Sequence, residues 1–313
     1  MIAPLNYLTG SGPLAHPVVA LTWGLLIISI VVVVLVTGLV IAGVLARRMK
    51  TGQVAQVAIK PHGDGLRWLW VGMGLTSITL IVSLVWTVAV IAQINTPASP
   101  SPITIRVIGL QWWWRAVYQP HDPGQSFETA NELHIPVGIP VRIELIGGDV
   151  IHSFWIPQLN GKTDTIPGRT NVMWLQADKP GVYAGQCTEY CGLQHAKMSA
   201  VVIAESPAAY AAWQVHQRAL AAADASQGRA VFSQACAKCH AVRGTDAKGP
   251  DGPDLTHLMT RASLAAGAVP NTLGALEGWI ANPQGVKPGA QMPATHLTGP
   301  QLQAVAQYVE TLR

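Results

Sequence analysis

The segment Cys187-Thr-Glu-Tyr-Cys191-Gly-Leu-Gln-His195-Ala-Lys-Met198 places two thiols, an imidazole and a thioether in one short loop. Sulfur and imidazole ligands favour copper, zinc or iron over hard cations. A tetrahedral zinc site normally uses four cysteine or histidine ligands and has no need of Met198. A Cys187–Cys191 disulfide is the competing interpretation, since an oxidising compartment permits it. The loop by itself leaves copper and a disulfide open.

The other two cysteines of the chain lie in Cys236-Ala-Lys-Cys239-His240. This spacing is the attachment signature of c-type haem, in which both thiols bond the vinyl groups and His240 ligates the iron. A thioredoxin-like redox pair is disfavoured because no βαβ pattern surrounds the motif. A zinc ribbon would need a second pair of cysteines. The motif therefore predicts one covalently bound haem c.

The sixth iron ligand is expected to be a methionine far downstream, which raises the potential of a haem relative to two histidines. Met292 lies in Lys287-Pro-Gly-Ala-Gln-Met292-Pro, which resembles the methionine loop of small c-type cytochromes and precedes the last predicted helix. Met259 is interpreted as packing, and His257 and His296 are rival ligands. We assign Met292 as the sixth iron ligand.

Two long apolar segments lie near the N-terminus, at about residues 18–45 and 68–94, and neither contains a charged side chain. Each would form roughly 40 Å of helix, enough to cross a hydrocarbon core about 30 Å thick with some tilt. Buried helices of a soluble protein are the alternative, but uncharged stretches of this length are rare in soluble folds. Residues 1–94 are therefore predicted to form a transmembrane helical hairpin in contact with membrane lipid.

The charges around the apolar segments predict their orientation. Against the single acid Asp64, the loop between them carries the basic residues Arg47, Arg48, Lys50, Lys60 and Arg67. Positive loops stay in the cytoplasm, so the N-terminus and everything after residue 94 are expected on the periplasmic face of a bacterial inner membrane. No cleavable signal is predicted, because the first segment is too long for one and lacks a basic start.

The outer part of the chain divides into three regions. Residues 95–205 contain short β-type runs separated by turn residues, which predicts an all-β sandwich. The runs cover 103–110, 112–118, 131–135, 141–146, 151–156, 171–176, 182–186 and 199–204. The alanine-rich residues 206–225 predict a helical linker, and residues 226–313 have the helical periodicity of a small all-α domain. The whole chain is thus predicted to be membrane-anchored and multidomain.

The sequence pI of about 8.9 does not indicate a nucleic-acid partner. Five of the 20 basic residues lie in the loop between the two apolar segments. The outer regions contain no basic stripe with interleaved aromatic residues, which nucleic-acid binding proteins typically show. We therefore expect no nucleic acid among the partners.

Several segments upstream of the sulfur-rich loop carry a resemblance to a known family. They are Gln111-Trp-Trp-Trp114, Asp149-Val-Ile-His152-Ser-Phe-Trp-Ile-Pro157 and Lys162-Thr-Asp-Thr-Ile-Pro-Gly-Arg169. With two apolar spans before them and the loop after them, the chain resembles subunit II of the haem-copper cytochrome c oxidases, fused to a c-type cytochrome domain. The resemblance implies that residues 95–205 form a cupredoxin-like sandwich holding a binuclear copper centre, termed CuA.

The resemblance also implies a role for each residue of the motif. It gives the bridging thiolates to Cys187 and Cys191 and the terminal imidazoles to His152 and His195, with Met198 as a weak ligand. The Glu189 backbone carbonyl is the other weak ligand, and its carboxylate is assigned to a magnesium site shared with the catalytic subunit. Trp112 matches the aromatic side chain through which electrons enter, although an interfacial or core indole is the alternative.

One position departs from the family pattern. The family often has a glutamate near the start of the second span, where it feeds a proton channel of the catalytic subunit. Arg67 stands at that position in this sequence. Either Asp64 substitutes for the glutamate or the proton path is built differently.

The resemblance implies an electron relay. Electrons would pass from haem c to two copper ions, and then to a haem-copper catalytic subunit I that reduces oxygen to water. Subunit III and a c-type cytochrome donor are the other expected partners. This chain would carry no oxygen-reducing site of its own. The alternatives are the electron-input subunit of a copper-containing nitric oxide reductase and a stand-alone membrane redox carrier.

Overall fold

The computed structural model describes residues 5–48, 64–95, 100–119, 121–221 and 226–313. Lys50 and Lys60, on which part of the predicted orientation rests, lie outside the described residues. So do residues 96–99 of the region that leaves the second span and residues 222–225 of the predicted linker.

Both predicted spans are helical. Helix α1 covers Ala15–Arg48 and α2 covers Asp64–Ile94, each starting a few residues before the apolar stretch. Both are long and apolar enough to cross a membrane, and almost none of their residues is buried within the protein. A helix that is apolar on every side without being buried is suited to lipid. A Cβ atom on Gly24 would lie 2.3 Å from the Trp86 ring, so the two helices approach closely only because Gly24 has no side chain.

The residues before the first span pack against the β domain, which sequence analysis did not predict. The Ser11 amide donates to the Gln158 carbonyl at 2.8 Å, and the Asp178 amide donates to the Ser11 carbonyl at 2.8 Å. A Cβ on Gly12 would lie 2.0 Å from the Gln176 carbonyl oxygen. The N-terminal segment therefore belongs with the β domain.

The β domain is a sandwich of two five-stranded sheets, as predicted. One sheet has the order β3-β2-β1-β5-β8 and the other has the order β4-β10-β9-β6-β7. The strands are β1 Ile103–Leu110, β2 Trp113–Tyr118, β3 Phe127–Ala130, β4 Glu132–Pro136, β5 Val141–Gly147, β6 His152–Trp155, β7 Thr163–Thr165, β8 Thr170–Leu175, β9 Gly181–Cys187 and β10 Ser199–Glu205. The β1–β5 and β4–β10 pairs are parallel, and the remaining pairs are antiparallel.

The strand count from the sequence was too low by two. Strands β3 and β7 have only four and three residues, and β7 contains no apolar residue. Their extended conformation comes from pairing with β2 and β6, because a run this short shows no periodicity of its own.

The sandwich core follows from alternation along the strands. In β1, Ile103, Ile105 and Val107 are buried, and the residues between them are partly exposed. Side chains of a strand point alternately to its two faces, so these three face the other sheet. There they join one continuous core with Trp114, Phe154 and residues of β9 and β10.

The linker helix is shorter than predicted. Helix α3 covers Pro207–Arg218, its first turn capped by the Ser206 hydroxyl, and residues 219–221 are not helical. The Trp213 ring stacks on His134 with ring centroids 4.1 Å apart, and it also contacts Tyr118, Phe127 and Tyr210. This aromatic cluster fixes α3 on the sandwich.

The C-terminal domain is helical, as predicted. Its helices are α4 Gln227–Ala235, α5 Leu273–Ala281, α6 Pro283–Val286 and α7 Gly299–Glu310. Helices α4 and α7 cross where a Cβ on Gly228 would lie 2.0 Å from the Ala304 carbonyl oxygen. Sequence analysis missed a small hairpin of β11 Ser263–Leu264 and β12 Val269–Pro270, whose strands are too short to show a pattern.

Replacement of Trp213 by alanine should loosen α3 from the sandwich. The substitution removes four ring contacts from a partly buried site, and we expect a loss of about 3 kcal/mol, the lower end of values for buried aromatic side chains. Calorimetry of the full chain in detergent should show a lower Tm for the β domain. Val215 lies on the same helix and is 65% exposed, so Val215→Ala is the matched control. An equal Tm for the two variants would contradict the anchoring role.

Candidate metal centre and haem site

The sulfur-rich loop connects β9 to β10 and lies beside the first residue of β6. Cys187 ends β9, His195 begins a single 3₁₀ turn, and Met198 directly precedes β10. One ligand atom each from His152, Cys187 and Cys191 lie within 4.8 Å of one another. The loop folds back because Gly192 adopts φ = +113°, a conformation that other residues rarely adopt.

The two thiols of this cluster are free and 3.8 Å apart. A disulfide needs a sulfur–sulfur distance of about 2.05 Å. The structure therefore holds Cys187 and Cys191 as separate ligand atoms, and it does not contain the disulfide that the sequence left open.

The other predicted ligands converge on the same sulfurs. The Cys191 sulfur lies 3.6 Å from His195 Nδ1 and 3.9 Å from Met198 Sδ. The Cys187 sulfur lies 3.3 Å from the Glu189 carbonyl oxygen. The structure thus brings together all six groups that were predicted from the sequence.

His152 supplies the test of whether this cluster suits a metal ion. Its Nε2 donates to the Asp149 carboxylate at 2.8 Å, which leaves the lone pair on Nδ1. That Nδ1 atom is buried and has no hydrogen-bond partner. An orphaned buried nitrogen is costly in a protein, and a soft metal ion bound between it and the two thiolates would satisfy it. The residues present therefore fit copper.

The two thiols have different acidities. Burial by itself raises the pKa of Cys187, but the adjacent His152 ring and neighbouring backbone groups outweigh burial and lower it to about 7. Burial and the adjacent Cys187 charge raise the pKa of Cys191 to about 12. The pair thus ionises in two well-separated steps without a metal, and a cation is needed for both sulfurs to be thiolates near neutral pH.

Two residues that precede β2 donate hydrogen bonds to the sulfur-rich loop. The Trp112 indole Nε1 and the Gln111 side-chain amide both donate to the Cys191 carbonyl oxygen, at 2.9 and 2.8 Å. The Gln111 backbone amide donates in turn to Asp149 at 2.7 Å. Trp112 is buried against the loop, and its role in electron entry stays a prediction.

The second predicted site follows α4 directly. The Cys236 amide closes the helix onto the Phe232 carbonyl, and the His240 amide donates to the Cys236 carbonyl at 3.0 Å. This turn presents the two partly exposed, free thiols of Cys236 and Cys239 beside the His240 ring.

The His240 ring is prepared for ligation. Its Nδ1 donates to the Pro253 carbonyl oxygen at 2.9 Å, so Nε2 keeps its lone pair. Burial lowers the pKa of His240 and favours the neutral ring that an iron ligand requires. A Cβ on Gly252 would lie 2.5 Å from this ring, so the glycine leaves room for it. These residues fit a haem c.

The structure also sorts the candidates for the second axial ligand. The His257 ring nitrogens Nδ1 and Nε2 lie 2.8 and 3.1 Å from the main-chain oxygens of Arg313 and Ala219, and Met259 packs on the domain core. His296 is exposed. Met292 is half-buried in the segment before α7. Met292 stays our prediction for the sixth ligand.

Two sequence predictions lie beyond what these contacts test. Glu189 is half-buried, and its proposed magnesium stays a prediction. Arg67 lies exposed in α2, at the position where the family often has a glutamate.

Sequence analysis missed a functional contact between the two sites. Lys287, in the segment that leads to Met292, donates through Nζ to the Trp112 carbonyl oxygen at 2.6 Å. A lysine in a glycine- and proline-rich segment gives no sign of burial, so no signal in the sequence indicates this bond.

Comparisons with known proteins match both outer domains. The family model for the periplasmic domain of cytochrome c oxidase subunit II matches residues 120–205, and the model for cytochrome c matches residues 225–313. Cytochrome c oxidase subunit 2 of Alkalihalophilus pseudofirmus is 35% identical, covering 92% of this chain and 86% of the relative. The protein of that name from Bacillus subtilis is 27% identical, covering 85% and 80%.

Among solved structures, the periplasmic domain of subunit II of cytochrome oxidase from Bradyrhizobium japonicum is 31% identical. It covers 39% of this chain and 97% of its own, with a TM-score of 0.36. From its similarity along nearly the whole length of the first relative, the chain belongs to the cytochrome c oxidase subunit II family.

Membership establishes the broad biochemistry. The chain is part of an oxidoreductase complex that contains a catalytic subunit I, and it serves the electron-input side of that complex. Its β domain is the type that carries CuA copper, and its C-terminal domain is the type that carries haem. The two apolar helices and the periplasmic domain make it a membrane-anchored protein with its redox domains in the periplasm.

Asp149→Asn should weaken metal binding without unfolding the sandwich. The Asp149 carboxylate orients His152 and also accepts the Gln111 amide, and loss of such a partner typically costs about 10- to 100-fold in metal affinity. Competition between the full chain and a copper chelator measures that affinity. Asp246 is an exposed aspartate of the C-terminal domain, so Asp246→Asn is the control. Equal affinities for both variants would show that Asp149 does not orient the ligand.

Proposed function

We propose that this chain is the electron-input subunit of a respiratory terminal oxidase in the bacterial inner membrane. Bound haem c and a binuclear copper centre would supply a one-electron relay from a donor in the periplasm to the catalytic subunit, which reduces oxygen to water. Subunit III and a c-type cytochrome donor complete the proposed set of partners.

The observation that carries the proposal is the geometry around His152. Its orphaned Nδ1 atom and the two free thiols 3.8 Å apart lie in one buried cluster. We assign two copper ions to His152, Cys187, Cys191 and His195, with Met198 and the Glu189 carbonyl as weak ligands. This donor set contains soft sulfur and imidazole groups and no ligand that selects a hard cation.

The role of the protein is to hold these groups still. The loop is tied to β9 and β10 at its ends and to Trp112 and Gln111 at the Cys191 carbonyl. Asp149 fixes the tautomer of His152. A site that keeps its ligand positions needs little rearrangement when its charge changes, and such preorganisation favours fast electron transfer at small driving force.

The C-terminal domain is proposed to hold haem c through Cys236, Cys239 and His240, with Met292 as a further iron ligand. The Pro253 carbonyl orients His240 by accepting from Nδ1. Trp112 is the proposed point at which electrons enter the copper domain. We also propose that the Glu189 carboxylate binds a magnesium ion shared with subunit I.

A copper-containing nitric oxide reductase uses similar electron-input modules and is the second candidate, with a free-standing redox carrier as the third. Membership of the oxidase subunit family favours oxygen as the final acceptor. The two activities are separable in one experiment on the intact complex.

Cys187→Ser should abolish the copper centre and leave the haem attached. A serine hydroxyl is a poor bridging ligand for copper, whereas the thiolate is strongly bound. Electron paramagnetic resonance should show one electron shared over two coppers in the parent and lose that signal in the variant. Cys239→Ser is the reciprocal control, since it should keep the copper signal and lose one thioether bond. Two coppers per chain in Cys187→Ser would contradict the assignment.

The complex purified through this chain and given electrons from ascorbate and a mediator should consume oxygen rapidly in a cyanide-sensitive reaction. Nitric oxide consumption is recorded in parallel on the same sample. Faster consumption of nitric oxide than of oxygen would identify the chain as a subunit of a nitric oxide reductase. A complex that consumes neither gas would leave the chain a carrier without a catalytic partner.

A further inference from the structure

Residues 286–289 of the C-terminal domain lie directly on the copper loop. The Gln194 side chain donates to the Pro288 carbonyl at 2.7 Å, and Lys197 Nζ donates to the Val286 carbonyl at 2.9 Å. A Cβ on Gly289 would lie 3.1 Å from the Leu193 side chain and 3.5 Å from the Trp112 ring. We call this segment the docking segment.

Lys287 is the residue of the docking segment that enters the interface. The residue is buried, with only 3% of its surface exposed. Its Nζ donates to the Trp112 carbonyl at 2.6 Å and to the Ala265 carbonyl at 3.0 Å. Lysine is almost never fully buried unless it is paired, so its placement here marks a specific contact. The amine ties three segments together, namely the docking segment, the β11–β12 hairpin and the start of β2.

Both bonds of Lys287 go to neutral carbonyl oxygens. Burial and the nearby Lys197 ammonium lower the pKa of Lys287 to about 7. A neutral amine still has two N–H donors, and two carbonyl oxygens accept from it. The contact is therefore a pair of hydrogen bonds inside the interface rather than an ion pair on its rim.

The same hairpin supplies a direct reporter of docking. The Ser199 amide at the start of β10 donates to the Ala266 carbonyl at 3.1 Å, and the Ala262 amide donates to the Glu132 carboxylate at 2.7 Å. Both bonds cross from one domain to the other. Separation of the domains would expose these two amides to solvent.

We propose that Lys287 is a positioning residue that docks the haem domain on the copper domain by donating to the Trp112 and Ala265 carbonyls. The inference rests on the proposed function, because docking has a purpose only if both sites exchange electrons. In the docked arrangement, the Pro288 carbonyl is bonded to Gln194, the neighbour of the copper ligand His195. Pro288 itself lies four residues before Met292. The interface thus joins the two ligand segments through the hydrogen bonds of Gln194 and Lys197.

Docking through a buried amine has a consequence for donor access. The docking segment packs against the Trp112 ring, and Trp112 as a whole is 7% exposed. A separate donor protein therefore meets the haem domain at this face of the copper domain, and Trp112 becomes available to it only when the docking segment leaves. Because the two bonds are shielded from solvent, salt should screen them little.

The test measures amide hydrogen exchange in the intact complex carrying Lys287→Met. Methionine keeps the unbranched apolar stem and loses the donor, which leaves the Trp112 and Ala265 carbonyl oxygens without this partner. We expect exchange of the Ser199 and Ala262 amides to speed up about tenfold or more, the factor that corresponds to one lost hydrogen bond of this kind. The rates in the parent should be nearly the same at low and high salt.

Two further variants separate docking from general damage. Lys287→Gln keeps an N–H₂ donor on a shorter side chain, and its exchange rates should fall between those of the parent and Lys287→Met. Lys248 is an exposed lysine of the same domain, and Lys248→Met should leave both amides as in the parent. The rate of electron transfer between the two sites should fall in the order parent, Lys287→Gln, Lys287→Met.

Protection of the buried amide of Val309 in α7 reports the fold of the haem domain. Parent-like exchange of Ser199 in either Lys287 variant, with α7 protected, would overturn the proposal. If Lys287→Met also loses protection in α7, the haem domain of that variant is unfolded. The exchange rate of Ser199 in Lys287→Gln then tests the proposal. Copper resonance and haem absorption are recorded on the same samples. Their absence from the parent would refute the proposed function, whereas the exchange result would still stand or fall by itself.

Discussion

The hydrogen bond from the Trp112 indole to the Cys191 carbonyl is the contact on which the rest of the outer region depends. It ties the middle of the sulfur-rich loop to the strand that follows Trp112, and Gln111 repeats the bond to the same oxygen. The backbone carbonyl of Trp112 accepts a hydrogen bond from Lys287. One residue therefore connects the copper loop, the first sheet and the haem domain. A buried carbonyl without donors is costly, so each of these bonds stabilises one arrangement against looser ones.

The two halves of the protein solve different solvation problems. The helices of the hairpin are apolar on all sides and leave most of their surface outside the protein, which suits a bilayer and would be unstable in water. The sandwich instead places apolar residues on its inner faces and polar residues on its outer faces. This arrangement suits the outer domains to water.

Much of the candidate site was predictable because the ligands lie close together in the chain. Cys187, Cys191, His195 and Met198 share one loop, and Cys236, Cys239 and His240 share one turn. His152 lies 35 positions before Cys187, and it was assigned from resemblance and not from spacing. The pairing of β6 with β9 places Phe154 opposite Cys187, and this pairing brings His152 close to the two thiols. Strands β3 and β7, the hairpin β11–β12 and the packing of residues 5–16 could not be predicted, since each is too short to carry a pattern and forms only against a neighbour.

The sequence by itself determined the spans, the sandwich, the helical C-terminal domain and the haem-attachment motif, and it left the sulfur-rich loop open between copper and a disulfide. These properties depend on composition, periodicity and local spacing, which a linear chain displays directly. The tertiary structure alone decided which nitrogen of His152 faces the sulfurs, that the two thiols stay free, and that Lys287 is buried against Trp112. Those outcomes depend on atoms that are far apart in sequence and within hydrogen-bonding distance in space, because only the folded backbone brings their donors and acceptors together.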